Sequence, residues 1–330
     1  MAFTVQNAFS TFLQETVRIK KTRSDIAKIS KENLVKEIAK FPDDGIFPKL
    51  HDMLSIDYGS FSRKTKIQPL DDIDLMIVLH AQGATYDEHK NPTQVFVNNE
   101  YSSLKKFCND YTSVLNSTKV LNGFKDYLGK VSKYKKAEIK KNQEAVTLNL
   151  ESYEWVFDIV PCFITNTNPT EQSLFLIPDG VGNWKKTDPR IDKQRTLTIN
   201  QAHSISVIDV IRLFKFWTNR ATMPTMKSYF LENLILNYYD LSNSTGYIDL
   251  EVRDVLAYIN QNIQNPLYDP KGFQGDINHL TYDERNKIQN KTHADYQIAL
   301  EARKLESQGN IKESIKKWGE IFGDQFPSYG

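Results

Sequence analysis

The feature that most constrains the fold of this chain is a run of residues that starts with a Gly-Ser pair and ends in an apolar strand. The run, YGSFSRKTKIQPLDDIDLMIVL, covers residues 58–79. Because side chains alternate between the two faces of a strand, Asp72 and Asp74 share one face, and the apolar residues beside them point into a core. Carboxylates on a buried strand are costly unless something compensates them. The pattern therefore indicates either a bound cation or a half-exposed strand edge.

A cation is the reading that also accounts for the residues before the acids. Mg²⁺ takes carboxylate oxygens together with substrate phosphates. Gly59 allows the backbone to approach a ligand closely, and Ser60 can cap a following helix whose free N–H groups bind phosphate. We therefore expect a short helix over 60–66 and a triphosphate between its start and the acids. Asp71 falls on the opposite face of the strand, and we expect no metal role for it.

A third acid occurs in a second apolar strand, WVFDIVP, as Asp158. If this strand lies beside residues 70–79, Asp158 joins Asp72 and Asp74. Three carboxylates can hold two Mg²⁺ ions about 4 Å apart, the arrangement used to activate a hydroxyl and to neutralise a leaving pyrophosphate. An Asp-x-Asp pair or a Gly-Ser pair alone indicates little, but the combination makes an accidental match improbable.

The hydrophobic pattern predicts an α/β protein with two lobes. Residues 6–40 and 45–54 have helical periodicity, and strands are expected at 70–79, 145–152 and 154–164. From about residue 200 onward the pattern is mostly helical. The composition changes near residue 180, so we expect domains at 1–180, with the strands, and at 181–330, with the helices.

Charge and composition exclude several classes of protein. The chain has 42 Lys and Arg against 41 Asp and Glu, which argues against a protein whose main task is coating nucleic acid or an anionic membrane. The lysine-rich stretch 119–141 lacks a run of base-stacking aromatics, so we expect no strong nucleic-acid site there. Two cysteines form neither a disulfide framework nor a zinc set. Without a signal peptide or a membrane-length apolar run, we expect a cytoplasmic protein.

The motif residues resemble those of the polymerase-β-like nucleotidyltransferases. That pattern is a Gly-Ser pair, a spacer, an Asp-h-Asp-h strand in which h is apolar, and a later Asp. The chain matches it at Gly59, Ser60, Asp72, Asp74 and Asp158. The stretches VIDVIRLFKFW, MKSYFLENLI and WGEIFGDQFP look like the helical lobe of bacterial cGAS/DncV-like nucleotidyltransferases (CD-NTases). The resemblance covers nearly the whole chain and implies a polymerase-β-like core with a twisted mixed sheet and a helical C-terminal lobe.

Three further site residues follow from this resemblance. In the family a lysine and a later serine hold the donor triphosphate, and an aromatic beside the serine stacks on a base. Lys215, Ser228 and Tyr229 stand at the matching positions. Without the family, the lysine could extend along an apolar helix, the serine could be an ordinary cap, and the tyrosine an ordinary core residue.

The function implied by the resemblance is synthesis of a cyclic oligonucleotide from two, or three, nucleoside triphosphates, with ATP and GTP favoured. The stretches GSFSRKT and PLDDIDLMIVLHAQGATY look most like bacterial enzymes whose products are purine-containing cyclic dinucleotides such as cyclic GMP-AMP. Two Mg²⁺ ions, which Mn²⁺ can replace, would be the cofactors. The product would activate a downstream effector in CBASS anti-phage defence.

Two other functions stay open at this point. One is a nucleotidyltransferase that modifies RNA or a small molecule, and the other is a catalytically silent nucleotide-binding or interaction module. The presence of all three acids argues against the silent module. The chain ends in Gly330, and some family members are conjugated through their last residue by a ubiquitin-transfer-like partner. An ordinary frayed terminus explains this glycine equally well.

Overall fold

The computed structural model of the protein describes residues 2–87, 89–166, 172–221 and 223–330. Its contacts divide the chain into two compact units, which are interleaved along the sequence. The helical unit comprises Met1–Lys20, Arg63–Pro69 and Arg190–Gly330, and the sheet unit comprises Lys21–Ser62 and Leu70–Pro189. The division into domains at 1–180 and 181–330 stays a prediction.

A mixed sheet forms the framework of the sheet unit. Its strands are β1 (Leu50–Asp57), β2 (Asp72–Leu79), β5 (Glu138–Asn142), β6 (Ala145–Asn149), β7 (Val156–Ile164), β8 (Phe175–Pro178) and β9 (Trp184–Thr187), while β3 (Thr85–Tyr86) and β4 (Val95–Phe96) pair separately. The order is β1-β2-β7-β6-β5, and β8 joins β7 to β9. Strands β2 and β7 run parallel, and the other neighbours run antiparallel. The predicted α/β fold with a mixed sheet is confirmed.

The centre of the sheet is built from the two apolar strands that the sequence singled out. In β2 the residues after the acids are buried, and β7 is buried through most of its length. Beta-branched and aromatic side chains suit such a two-sided position. One core cluster on this sheet consists of Met76, Val78, Ala145, Val160, Cys162, Phe175 and Ile177.

Among its described residues the sheet unit contains the α-helices α2 (Lys21–Ile38), α3 (Gly59–Ser62) and α4 (Ser117–Lys130). Helix α4 begins where the side chain of Asn116 accepts a hydrogen bond from the backbone N–H of Lys119 at 3.1 Å, which satisfies one donor at the helix start. Its apolar residues recur at helical spacing and are buried, and the helix packs on β5, β6 and β8. Helix α4 therefore covers part of the sheet that carries the acids.

The helical unit has its own aromatic core. Its helices are α1 (Val5–Phe12), α5 (Pro189–Ala202), α6 (Val207–Thr218), α7 (Ser228–Leu241), α8 (Ile248–Asn262), α9 (Tyr282–Ser307) and α10 (Ile311–Phe322), with a π-helical segment at Leu13–Val17. The ring of Phe9 in α1 lies 5.1 Å from that of Trp318 in α10, edge to face. Such pairs are favourable beyond the area that they bury. The first helix of the chain is thus held by its last.

The residues predicted as helical over 6–40 form α1, the π-helical segment and α2, and the helix is interrupted at residues 18–20, where the chain leaves the helical unit. After the π-helical segment, Arg18 is extended, with φ −74° and ψ 140°. Its guanidinium binds Asp209 of α6, with 2.9 Å between Nε and Oδ1. This ion pair and a β-bridge from Arg18 to Ile67 hold the chain out of helical geometry before α2 starts.

The other two short helices predicted before β2 are also corrected. Residues predicted as a helix over 45–54 contribute to strand β1, which is antiparallel to β2. Its register shifts between Leu50 and Ser55, and this irregularity hides the period-2 pattern of a strand. The helix expected over 60–66 is only α3, which ends at Ser62, and Lys64 just beyond it has a left-handed backbone with φ +62° that a helix cannot contain. Within the described residues, no helix combines the length and apolar character needed to cross a membrane.

Candidate active site

The three predicted acidic residues lie on one face of the sheet. Asp74 of β2 pairs with Asp158 of β7 in the parallel ladder, and Asp72 pairs with Val156. Paired residues of parallel strands point to the same side, and residues two apart on one strand do so as well. The three carboxylates are therefore neighbours, and all three residues are half-buried.

Gly59 lies directly against one of these carboxylates. It starts α3 with a left-handed backbone, φ +71°. A methyl group built on it would come within 1.7 Å of Asp74 Oδ2, where ordinary contact begins beyond 3 Å. Only glycine meets both demands, positive φ and close approach. Ser60, the next residue, is half-buried in the same short helix, so the Gly-Ser pair and the acid pair meet in the sheet unit.

The carboxylate of Asp158 has a polar neighbour that the sequence analysis did not identify. Thr147 of β6 stands opposite Asp158 in the antiparallel ladder, and its hydroxyl donates a hydrogen bond to Asp158 Oδ1 at 3.0 Å. The bond fixes the orientation of this carboxylate. The only sequence signal was a hydroxyl residue within an apolar strand, which by itself indicates nothing about a partner.

The chemistry of the three carboxylates fits a hard divalent cation. Mg²⁺ is bound by oxygen ligands and retains positions for water and phosphate. Because residue 59 is a glycine, the group next to Asp74 is the backbone of Gly59 and not a side chain. No set of three or more His, Cys, Asp or Glu side chains in the described ranges is already gathered around one point. The metal roles of Asp72, Asp74 and Asp158 therefore stay a prediction.

Lys215 belongs to the helical unit and is buried there. It lies on α6 with 5% of its surface exposed. Its ammonium forms an ion pair with Glu232 of α7 and lies 3.4 Å from the hydroxyl of Thr65. Lys215 therefore does not extend along the apolar helix to solvent, which was the alternative considered for it.

Glu232 is the centre of this buried polar group, and the sequence analysis missed it. Its carboxylate also accepts a hydrogen bond from Arg63 Nε and one from Thr65 Oγ1, both at 2.9 Å. Burial lowers the pKa of Lys215, against the effect of the Glu232 charge. Burial also opposes ionisation of Glu232, but the charges of Arg63 and Lys215 outweigh it and lower the pKa of the carboxyl to about 2. Glu232 is therefore ionised at neutral pH.

Ser228 and Tyr229 start helix α7, one turn before Glu232. Ser228 is exposed. Tyr229 is half-buried, and its hydroxyl lies 2.9 Å from Asp192 Oδ1 and 2.7 Å from Asp269 Oδ1. Tyr229, Glu232, Arg63 and Asp192 surround one narrow gap in the helical unit, too small to hold a water molecule. The predicted site residues thus form two groups, one in each unit.

Comparisons with known proteins bear on the whole chain. No family model matches it. A Bacillus cereus protein named a probable cyclic nucleotide synthase is 41% identical over 332 residues, covering 100% of this chain and 99% of its own. The solved structure of E. coli CdnC with ATP has a TM-score of 0.71 at 14% identity and covers 98% of this chain and 99% of that one. Vibrio cholerae DncV, a cyclic AMP-GMP synthase described as a prokaryotic cGAS homologue, has a TM-score of 0.65 at 11% identity, covering 99% and 98%.

Proposed function

Since the chain belongs to the cGAS/DncV-like nucleotidyltransferases (CD-NTases), we propose that it condenses two nucleoside triphosphates into a cyclic dinucleotide. The proposed product contains purines, as in cyclic GMP-AMP, and a third nucleotide would give a larger ring. The proposal is supported by one observation above all. Asp74 and Asp158 are register partners on parallel strands, with Asp72 on the same face and Gly59 against Asp74.

The acids are proposed as the cation site. Asp72, Asp74 and Asp158 would hold two Mg²⁺ ions, or Mn²⁺ in their place, because carboxylate oxygens are the preferred ligands of both hard ions. The bound ions would supply charge neutralisation and a lowered pKa for a ribose hydroxyl. Thr147, through its bond to Asp158, keeps one oxygen of that carboxylate occupied and orients the other.

The remaining site residues are proposed to bind the donor nucleotide. The backbone N–H groups at Gly59 and Ser60 would face its phosphates, since glycine allows close approach and the start of a helix favours anions. Lys215 and Ser228 would hold the triphosphate, and Tyr229 would stack on the base. These groups orient the nucleotide, and orientation supplies a large part of the barrier reduction in phosphoryl transfer.

The proposed reaction has two like steps. A ribose hydroxyl of one nucleotide attacks the α-phosphorus of the other, a new P–O bond forms, and pyrophosphate leaves with the electron pair of the broken bond. The linear product then reorients in the site. Its remaining ribose hydroxyl attacks the α-phosphorus of its own triphosphate, a second pyrophosphate leaves, and the ring closes. The chemistry needs no covalent enzyme intermediate, in agreement with a site composed of carboxylates and phosphate-binding groups.

The test is an incubation of the purified protein with ATP, GTP, CTP and UTP, first with Mg²⁺ and then with Mn²⁺. Phosphatase treatment and mass spectrometry would then identify a product without a terminal phosphate. We expect such a product from the wild type and none from the Asp72→Asn/Asp74→Asn double variant. Asp71→Asn is the matched control, because this exposed acid precedes the strand on the opposite face and should leave the product unchanged.

The same assay separates the alternatives. Label transferred to added RNA or to a small-molecule acceptor, with no cyclic product, would replace this proposal by that of an acceptor-modifying nucleotidyltransferase. Nucleotide binding without any product, unchanged in the double variant, would instead support a silent binding module.

The biological role that we propose is signalling in anti-phage defence, where the cyclic product activates a downstream effector. Cells carrying the protein with its neighbouring genes should form fewer phage plaques than cells carrying the Asp72→Asn/Asp74→Asn variant. Equal plaque numbers, with both proteins present at equal levels, would contradict this role.

Conjugation of the last residue by a ubiquitin-transfer-like partner is also proposed. In the structure Tyr329 forms a β-bridge with Ala2, and Phe326 is buried, so a partner would have to draw the last residues away from Ala2 before reaching Gly330. Deleting Gly330 should abolish any conjugate seen on a denaturing gel in cells that contain the partner. A conjugate of unchanged amount would rule this site out.

A further inference from the structure

The hydroxyl of Tyr229 is surrounded by three buried charged side chains that the proposed reaction does not use. Asp192 lies in the first turn of α5, and Asp269 and Lys271 lie in the loop between α8 and α9. We refer to these four residues as the Tyr229 cluster. From its geometry we propose that Asp192, Asp269 and Lys271 are positioning residues, which fix the ring of Tyr229 as a platform for the base of the donor nucleotide. This inference rests on the proposed function.

The hydroxyl end of the ring is held from several directions. The phenol has one proton, yet its oxygen lies within 2.9 Å of Asp192 and within 2.7 Å of Asp269. Lys271 makes this arrangement possible, because its ammonium contacts the phenol oxygen and lies 3.0 Å from Asp192 Oδ2 and 3.2 Å from Asp269 Oδ1. Both carboxylates and the phenol oxygen thus receive a hydrogen bond from Lys271 or lie beside it. Charge-assisted hydrogen bonds of this kind are stronger than those between neutral groups.

The cluster contacts the ring mainly at its hydroxyl end. The ammonium of Lys271 contacts the hydroxyl and also lies 4.1 Å from the ring centroid, within the range of a cation–π interaction. Because the hydroxyl oxygen lies on the axis about which the ring turns, the bonds at the hydroxyl keep the side chain from swinging away from this position, and the contact of Lys271 with the ring favours one orientation of its plane. Fixing an aromatic ring beforehand reduces the entropy lost when a base stacks on it.

The loop that supplies Lys271 is itself fixed by Asp269. The carboxylate of Asp269 accepts hydrogen bonds from the backbone N–H groups of Lys271, Phe273 and Gln274, each at 3.2 Å. Such side-chain to backbone bonds stabilise a turn without regular structure. Only 3% of the Lys271 side chain is exposed, so the cluster is an internal structure and not a set of surface ion pairs.

Helix α7 connects this cluster to the proposed phosphate-binding lysine. Tyr229 and Glu232 are three residues apart, about 4.5 Å along the helix axis, and both border the same narrow gap. Glu232 binds Lys215, while Tyr229 is held by the cluster. One rigid helix therefore carries the proposed base platform and the partner of the triphosphate lysine at a set separation. We expect the cluster to act on nucleotide affinity and base preference more than on the chemical step.

The decisive variant is Tyr229→Phe, which keeps the aromatic ring and removes the hydroxyl that the cluster binds. Asp192, Asp269 and Lys271 remain paired with one another in this variant, so the fold should survive. We expect KM for the preferred purine nucleotide to rise about tenfold, the effect of losing one hydrogen bond to a charged group, while kcat changes less than about twofold. Lys271→Met should act in the same direction. Lys193→Met, an exposed lysine next to Asp192, is the matched control and should leave KM unchanged.

Melting temperatures and nucleotide titrations by calorimetry accompany the kinetics. A merely structural cluster predicts a lower melting temperature with unchanged KM and unchanged preference between purine and pyrimidine nucleotides, and that result would overturn the inference. If the wild type forms product but Tyr229→Phe retains the wild-type KM, the inference fails while the proposed function stands. If the wild type neither binds nucleotide nor forms product, both fail.

Discussion

Gly59 approaches Asp74 so closely that a methyl group on the glycine would lie 1.7 Å from the carboxylate oxygen Oδ2. Gly59 in α3 and Asp74 in β2 are fifteen residues apart in sequence, yet they are in direct contact. Any side chain at residue 59 displaces Asp74, and Asp74 is the acid that pairs with Asp158 across β2 and β7. The absence of a side chain at residue 59 is therefore required for Asp74, and with it the proposed cation site, to keep its position.

Gly59→Ala should therefore reduce product formation by about 100-fold, the effect of displacing a catalytic group by about 1 Å. Product would be measured by mass spectrometry and stability by thermal unfolding. Gly45→Ala is the matched control, because Gly45 also has positive φ, at +69°, but no atom lies within 4 Å of the added methyl. The control should lose stability without losing activity per folded molecule. Equal activity losses in the two variants would show that backbone strain, and not contact with Asp74, is responsible.

Thr147→Val should lower kcat by about tenfold, because partners that orient a metal-binding carboxylate typically contribute 10–100-fold to activity. The substitution removes the 3.0 Å hydrogen bond to Asp158 and keeps the shape of the side chain. Thr147→Ser, which retains the hydroxyl, should recover most of the activity. Steady-state kinetics over a range of Mg²⁺ concentrations would check the prediction. A Thr147→Val enzyme with wild-type kcat and wild-type Mg²⁺ dependence would contradict it.

Lys215→Met should weaken nucleotide binding by about 10-fold to 100-fold, the contribution of one charged hydrogen bond. Glu232 keeps Arg63 and Thr65 as partners in this variant, so the fold should tolerate the change. Calorimetric titration with ATP in the absence of turnover would measure the affinity. Lys227→Met, an exposed lysine beside Ser228, should bind ATP as the wild type does. If both variants bind equally well, Lys215 has only a structural role.

The stabilising contribution of Glu232 should depend on pH in a defined direction. Its pKa in the folded protein is lowered to about 2, against about 4.3 in an unfolded chain. A lowered carboxyl pKa stabilises the fold above the unfolded value, and this stabilisation is lost as the pH falls from about 4.3 toward 2. Glu232→Gln should cost about 3 kcal/mol at pH 7, since it leaves two buried cations without their partner. Denaturant titrations at pH 7, 4 and 3 should show a difference from the wild type that shrinks with acidity, and a constant difference would refute the prediction.

The sequence was most informative where the signal is local. Alternation along β2 predicted that Asp72 and Asp74 share a face, since the period of a strand is set by geometry and not by context. Neighbouring apolar strands suggested that Asp158 could join them. The sequence of β1 wrongly predicts a helix because a register shift interrupts the alternation of the strand, and short windows are ambiguous when the period is broken.

The partners of the site residues could not be predicted in the same way. Glu232 reaches Arg63 and Lys271 reaches Tyr229, and in each pair the two side chains come from distant parts of the sequence. An acidic residue within an apolar helix indicates that a partner is needed, but a single sequence does not say which one. These contacts depend on tertiary packing, which the local periodicity of the sequence does not reveal.

The interleaving of the two units has a consequence for synthesis of the protein. Residues Met1–Lys20 belong with Arg190–Gly330, and Phe9 packs on Trp318, so the aromatic face of α1 stays uncovered during synthesis until α10 has been made. The sheet unit, Lys21–Ser62 and Leu70–Pro189, can assemble earlier, while the chain is still being extended. Contacts between such distant segments slow folding. A nascent chain would thus carry the apolar face of α1 exposed until α10 has emerged, and a product truncated before α10 would be a natural substrate for chaperones and proteases.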